Sequence, residues 1–317
     1  MTNFPDLSKV TQARFIRLGP SGNWDALCLE DGTMRFGHPD VPHELALKGE
    51  LEPIKEIYAR LGKAKGSDTR YANQVLDFYA SGEDTVWVTF SKGFLWWGVA
   101  EPEVTLIDYD RKGHDKRGNR YRRMIGGWHK TDIRGRELHR VDLAGFLTMK
   151  SGFQGTICNL RPSEFSYLMR MIKAEELPEA IAARQAKATM EQAVSGLINH
   201  LEPDDFELLV DLIFSRGGWQ RVGEVGGTQK TTDLELIQPL TGERAAVQVK
   251  SSTNQTQLQE YIDSFAGMGA DRYFYVYHSS RQKLDVGDSS IRLVGPAELA
   301  QYAVDLGLTD WLLRKAC

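Results

Sequence analysis

Long apolar runs are missing from this chain. No stretch in its 317 residues approaches the roughly 18 apolar positions that a membrane helix needs. The first residues, "MTNFPDLSKV", carry neither the charged nor the apolar block of a secretion signal. A cytoplasmic protein with no membrane partner is the expectation. Cysteine is scarce: Cys28, Cys158 and Cys317 stand far apart with no C-x-x-C pair, which argues against a disulfide framework or a zinc knuckle and predicts reduced thiols. His38, His43, His114 and His129 have no metal-ligand spacing among themselves. No Ser/His/Asp arrangement and no G-x-x-x-x-G-K-[ST] loop occurs, so no nucleotide cofactor or nucleotide-driven motor is expected. Repeats and low-complexity tracts are absent as well.

What is present is enough apolar sequence, 41% of residues, to bury a full core in two domains. The net charge of −4 is unevenly spread: from residue 191 onward 11 Lys/Arg face 18 Asp/Glu, whereas the preceding residues hold 28 and 25. An acidic half does not favour a polyanion in general, although carboxylates that hold a divalent metal would contribute to it. The stretch "KAEELPEAIAARQAKATMEQAVSGLINHL" reads as one or two connecting helices with a break near Pro178. Three segments follow: an N-terminal domain at 1–172, a helical linker at 173–197 and a C-terminal domain at 198–317.

In the C-terminal domain, "EPDDFELLVDLIFSRGGW" predicts an amphipathic helix, with Phe206, Leu209, Val210, Ile213 and Phe214 on its apolar stripe and Glu207 beside it. Strands are predicted over "RVGEVGG", "TTDLELI" and "RAAVQVKS", then a helix over "QTQLQEYIDSFAGMG", a strand over "RYFYVYHS" and a late helix over "GPAELAQYAVDLGL". Such an order makes an α/β layer with a mixed sheet flanked by helices. Two adjacent strands bring Asp233 and Gln248-Val249-Lys250 together. A hard cation, Mg²⁺ or Mn²⁺, takes oxygen ligands, which the Asp233 carboxylate, the Gln248 amide and the Val249 main-chain carbonyl supply. Lys250 can then orient a water and offset phosphate charge, with Glu207 reaching the same place as an outer acid. The constellation suits phosphodiester cleavage, yet a strand alternating Val with Gln and Lys is also what a solvated sheet face looks like.

The order of motifs decides between them. Phe206-Glu207, Gly218-Trp219, Gly226-Gly227 with Asp233, and Gln248-Val249-Lys250 closely resemble the Mrr-like branch of the PD-(D/E)xK nucleases over roughly residues 198–310. The resemblance implies a restriction-endonuclease-like core and divalent-metal-dependent DNA hydrolysis, with catalytic roles for Asp233, Gln248, Lys250 and Glu207 and metal ligation by Asp233, Gln248 and Val249. Glutamine in place of the acid common elsewhere in the superfamily is usual in this branch.

In the N-terminal half, "D-x-V-W-V-T-F…L-W-W-G" resembles, more loosely, PUA-superfamily folds (EVE, ASCH and YTH domains) over about residues 60–170. This implies an α+β, barrel-like domain that stacks an extruded modified base, for which Trp87, Trp97, Tyr71 and Asn73 are the candidate pocket. Sheet-packing aromatics are the plainer alternative for any one of these residues. Next comes a basic segment expected as a loop, in which Arg111, Lys112, Arg117, Arg120, Arg122 and Arg123 are candidate phosphate contacts. The expected whole is a modification-dependent endonuclease of the restriction or phage-defence type, acting on double-stranded DNA as a homodimer. A nucleic-acid-binding or protein-interaction module with a nuclease-like core is the alternative.

Overall fold

In the computed structural model, residues 4–64, 66–107, 118–222, 232–265, 269–287 and 290–316 are described. The chain divides into two compact units, Met1–Glu176 and Leu177–Cys317.

The N-terminal unit contains strands β1 (Gln12–Ile16), β2 (Thr33–Phe36), β3 (Thr85–Ser91), β4 (Phe94–Val99), β5 (Thr105–Leu106), β6 (Arg120–Arg123) and β7 (Ile157–Asn159). Its helices are α1 (Asp25–Asp31), α2 (His43–Leu47), α3 (Leu51–Arg60), α4 (Ser67–Ala80), α5 (Gly145–Thr148) and α6 (Pro162–Ile172). Four strands lie in the order β4-β3-β1-β7 and three in the order β2-β6-β5. An antiparallel bridge between Ala100 and Met124 joins the end of β4 to the end of β6. The composition is α+β, as expected; the barrel itself rests on the resemblance alone. Strand alternation divides the core. Trp87 packs with Phe36, Phe78 and Ile54 on one side of the first sheet, while Val88 and Trp97 pack with Phe15, Leu95 and Leu168 on the other.

The C-terminal unit opens with α7 (Pro178–Ile198), which packs on this unit against α10 (Pro296–Asp305), and Lys187 pairs with Asp305 at 2.5 Å. Next, α8 (Pro203–Arg216) starts at a proline with Asp204 and Asp205 in its first turn, where a helix end favours negative charge. It buries Phe206, Leu209, Val210 and Ile213 and gives way to Gly217 and Gly218, the latter at φ +91°, where a side chain would be strained. Strands β8 (Gln220–Arg221), β9 (Leu234–Ile237), β10 (Arg244–Thr253), β11 (Arg272–Ser280) and β12 (Ile291–Val294) follow, with α9 (Gln255–Phe265) between β10 and β11 and α11 (Thr309–Lys315) last.

The sheet runs β12-β11-β10-β9-β8, parallel from β10 to β12 and antiparallel at β9 and β8. This is the expected mixed α/β layer with one strand more: β12, whose four residues, "IRLV", are too short to read as a strand from periodicity. The stretch "RVGEVGG" (221–227), expected as strand and turn, lies outside the described residues apart from its first two positions. β10 is buried on both faces. Val247 and Val249 meet Leu209, Val210 and Val276, while Ala246 lies with Leu258 and Tyr275 under α9.

Candidate nuclease site

Gln248 occupies the α9 face of β10, opposite Tyr275 in register, and is only 2% exposed. A polar side chain in such a place needs partners, because leaving its amide unbonded would cost about 1–3 kcal/mol. It finds them at the entry to β9. The Asp233 N–H donates to the Val247 carbonyl at 3.0 Å, which sets that residue against β10. Asp233 Oδ2 accepts the Val249 N–H at 2.7 Å and also the Gln248 side-chain amide. The same amide nitrogen lies 3.5 Å from the Val249 carbonyl oxygen. All three groups expected as metal ligands therefore converge on one point.

That point fits a hard cation. The terminal amide of Gln248 presents its N–H₂ to two oxygens, and a half-turn of the amide replaces the donor with a carbonyl oxygen. A carboxylate, an amide oxygen and a main-chain carbonyl would then face the same spot, oxygen ligands of the kind a hard divalent cation takes. Acidic side chains alone do not make this set: among the described residues, no group of three or more His, Cys, Asp or Glu is placed to hold a metal.

Lys250 leaves β10 on the face of Gln248, and its ammonium lies 5.4 Å from the centre of the Tyr261 ring on α9. Tyr275, beside Gln248, is fully buried with its hydroxyl 2.5 Å from Thr253 Oγ1. Glu207 stands on α8 with its proton held more tightly than in a free glutamate, first because burial disfavours its charge and then because Asp233 is near, with Arg221 opposing both.

Three residues of this surround were not read from the sequence. Arg221 on β8 donates to the Asp233 carbonyl at 3.2 Å and lies 3.6 Å from Glu207 and 3.9 Å from Asp211. Asp211, one turn beyond Glu207, was visible as a second carboxylate on that helix face. Tyr261 could be found only once α9 was known to lie over β10. A cavity of about 330 Å³ in this unit lies elsewhere: it is lined by apolar residues such as Phe214, Trp219 and Leu299, and none of Asp233, Gln248 or Lys250 borders it.

The N-terminal candidates come out differently. Arg120 and Arg122 are 1% and 0% exposed and are not phosphate contacts. They point inward from β6, and their guanidinium groups bond main-chain carbonyls: Arg120 those of His38 and Val41, Arg122 those of Glu101 and Phe78. Phe78 lies in the last turn of α4, where carbonyls lack helical partners. Burial lowers the Arg122 pKa to about 10. The expected loop is thus a strand at these positions, and of its four residues Arg123 is the exposed cation. Arg111, Lys112 and Arg117 lie outside the described residues.

Nor do the aromatics form one pocket. Trp87 and Trp97 are fully buried on opposite faces of the sheet; Trp97 stacks on Phe4 and donates to the Thr131 carbonyl at 2.8 Å. Tyr71 is half-buried against Tyr58 and His38, with Lys63 and Arg70 over its ring, and Asn73 is exposed on the same helix. Burial lowers the His38 pKa to about 3, so that ring is neutral.

Comparison with curated proteins gives no match. Residues 198–284, a span holding Glu207, Asp233, Gln248 and Lys250, match the Mrr-type catalytic family described as restriction endonuclease. The mixed sheet flanked by helices fits that core, and over these residues the chain is similar to the Mrr-type restriction-endonuclease domain.

Proposed function

We propose that the chain is a Mg²⁺- or Mn²⁺-dependent DNA endonuclease whose C-terminal unit cuts and whose N-terminal unit selects. The observation that carries this reading is the convergence of Asp233, Gln248 and the Val249 carbonyl on one point beside Lys250. A divalent cation there supplies Lewis-acid stabilisation of charge developing on the phosphate. Asp233, held by the Val249 N–H, and Gln248, through its amide oxygen, would hold the cation. Lys250, positioned over Tyr261, orients the water that attacks phosphorus and lowers the cost of negative charge as the bond to one sugar oxygen breaks. Glu207 lends a further negative charge from α8.

Each such site cuts one strand, so duplex cleavage calls for a homodimer. Action on modified DNA, in restriction or phage defence, rests on the resemblance of the N-terminal half to base readers. There Tyr71 is the half-buried aromatic candidate, and Arg123 is the exposed candidate for a phosphate. The test is cleavage by the full chain of matched unmodified, methylated and hydroxymethylated duplexes, with Mg²⁺ or with EDTA. Metal-dependent cutting that favours a modified duplex is expected. Equal cutting of all three removes the modification dependence, and no cutting of any with Mg²⁺ or Mn²⁺ overturns the nuclease reading.

A further inference from the structure

Two carboxylates, those of Glu207 and Asp211, and the main-chain carbonyl of Asp233 lie around a single guanidinium. Arg221 is the register partner of Leu236, so strand alternation sends its side chain to the face covered by α8, where Glu207 and Asp211 stand one turn apart. Its Nη2 donates to the Asp233 main-chain oxygen at 3.2 Å and lies 3.6 Å from Glu207 Oε1, while Nη1 lies 3.9 Å from Asp211 Oδ2. Its Nε is buried with no hydrogen-bond partner among the described residues.

We propose, building on the nuclease reading, that Arg221 is a positioning residue of the site: it fixes the Asp233 main chain from behind and holds Glu207 toward Asp233 against their mutual repulsion. The bond is to the carbonyl of Asp233. Its carboxylate, bonded through Oδ2 to Val249 and Gln248, is left to the cation. Contact with the carboxylates of α8 is by charge at ion-pair distance, which orients Glu207 without locking it. A planar guanidinium spans these partners with donors on two edges; a lysine ammonium, a single point charge, cannot serve a carbonyl and two carboxylates in fixed directions.

Removing the side chain has two effects of opposite sign. A positive charge leaves the neighbourhood of the cation, which favours cation binding, while Asp233 and Glu207 lose their support, which slows cleavage. A residue needed only for folding would lower both together. The experiment compares the wild-type full chain with Arg221→Gln and Arg221→Lys, measuring Mn²⁺ binding by titration calorimetry and single-turnover DNA cleavage at saturating Mn²⁺.

Arg221→Gln is expected to bind Mn²⁺ at least as tightly as wild type and to cleave roughly 10- to 100-fold more slowly, the usual effect of losing an outer-shell partner. Arg221→Lys should return Mn²⁺ affinity to the wild-type value and recover only part of the rate. Wild-type cleavage by Arg221→Gln overturns the assignment, as does loss of Mn²⁺ binding in step with rate. Should Arg221→Gln fail to fold, Arg221→Lys decides alone, and a full wild-type rate in it overturns the role of the fork. A wild-type chain that neither binds Mn²⁺ nor cleaves sinks the nuclease reading itself, and this assignment with it.

Discussion

Glu207 stands on α8, partly out of water and close to a second negative charge, and that sets how its ionisation bears on stability. Its folded-state pKa is raised above the ordinary glutamate value, by burial first and by Asp233 second. A raised carboxyl pKa means that the folded chain holds the proton more tightly than the unfolded chain. Stability therefore falls as pH rises from the ordinary carboxylate range through the raised value. Glu207→Gln should raise the melting temperature of the metal-free protein near pH 7, by no more than about 2 °C because the side chain is partly solvated, and the gain should vanish near pH 4. Thermal melts of both proteins at the two pH values check this; an equal shift at both would show that the effect is not electrostatic. Asp233, Gln248 and Lys250 were legible at this scale because strand alternation and the order of motifs both fixed them. Arg221 was not, since its partners come from the elements before and after it and become neighbours only when α8 lies against the strand.

At the scale of elements, β6 shows how charge can mislead. "RYRR" within a basic stretch reads as a solvated loop, because arginine is rarely buried unless paired. Yet the alternation of Arg120 and Arg122 against Tyr121 and Arg123 has the strand period, and in the folded unit the first pair points inward to carbonyls. The sequence could show the period but not that unpaired carbonyls, such as those of Phe78 and Val41, were waiting inside. Arg122→Ala should therefore destabilise the N-terminal unit by about 2–4 kcal/mol, since it leaves buried carbonyls unbonded. It should leave the salt dependence of DNA binding by the folded protein unchanged. Urea unfolding and binding titrations across salt concentrations separate the two; a flatter salt slope in a stable Arg122→Ala protein would restore the phosphate contact. Trp87 and Trp97 teach the same lesson: two residues ten positions apart on adjacent strands look like neighbours, but their register puts them on opposite faces.

At the scale of the whole molecule, the chain joins two compact units of different charge balance, the more acidic of which holds the candidate cation site. Its mixed sheet was legible because helix and strand periods alternate cleanly from α8 onward. Less was legible in the N-terminal unit, whose short strands pair across long sequence separations, as β1 does with β3 and β7. Everything proposed for the molecule depends on whether the site at β9 and β10 cuts DNA. The most direct measurement is single-turnover cleavage of supercoiled plasmid in Mg²⁺ by the full chain, comparing wild type with Asp233→Asn, which retains an acceptor for the Val249 N–H, and Lys250→Gln. Both variants should keep the wild-type melting profile and lose roughly 100- to 1,000-fold or more in rate, as expected for groups acting on charge in the transition state. A wild-type rate in either variant would contradict the account.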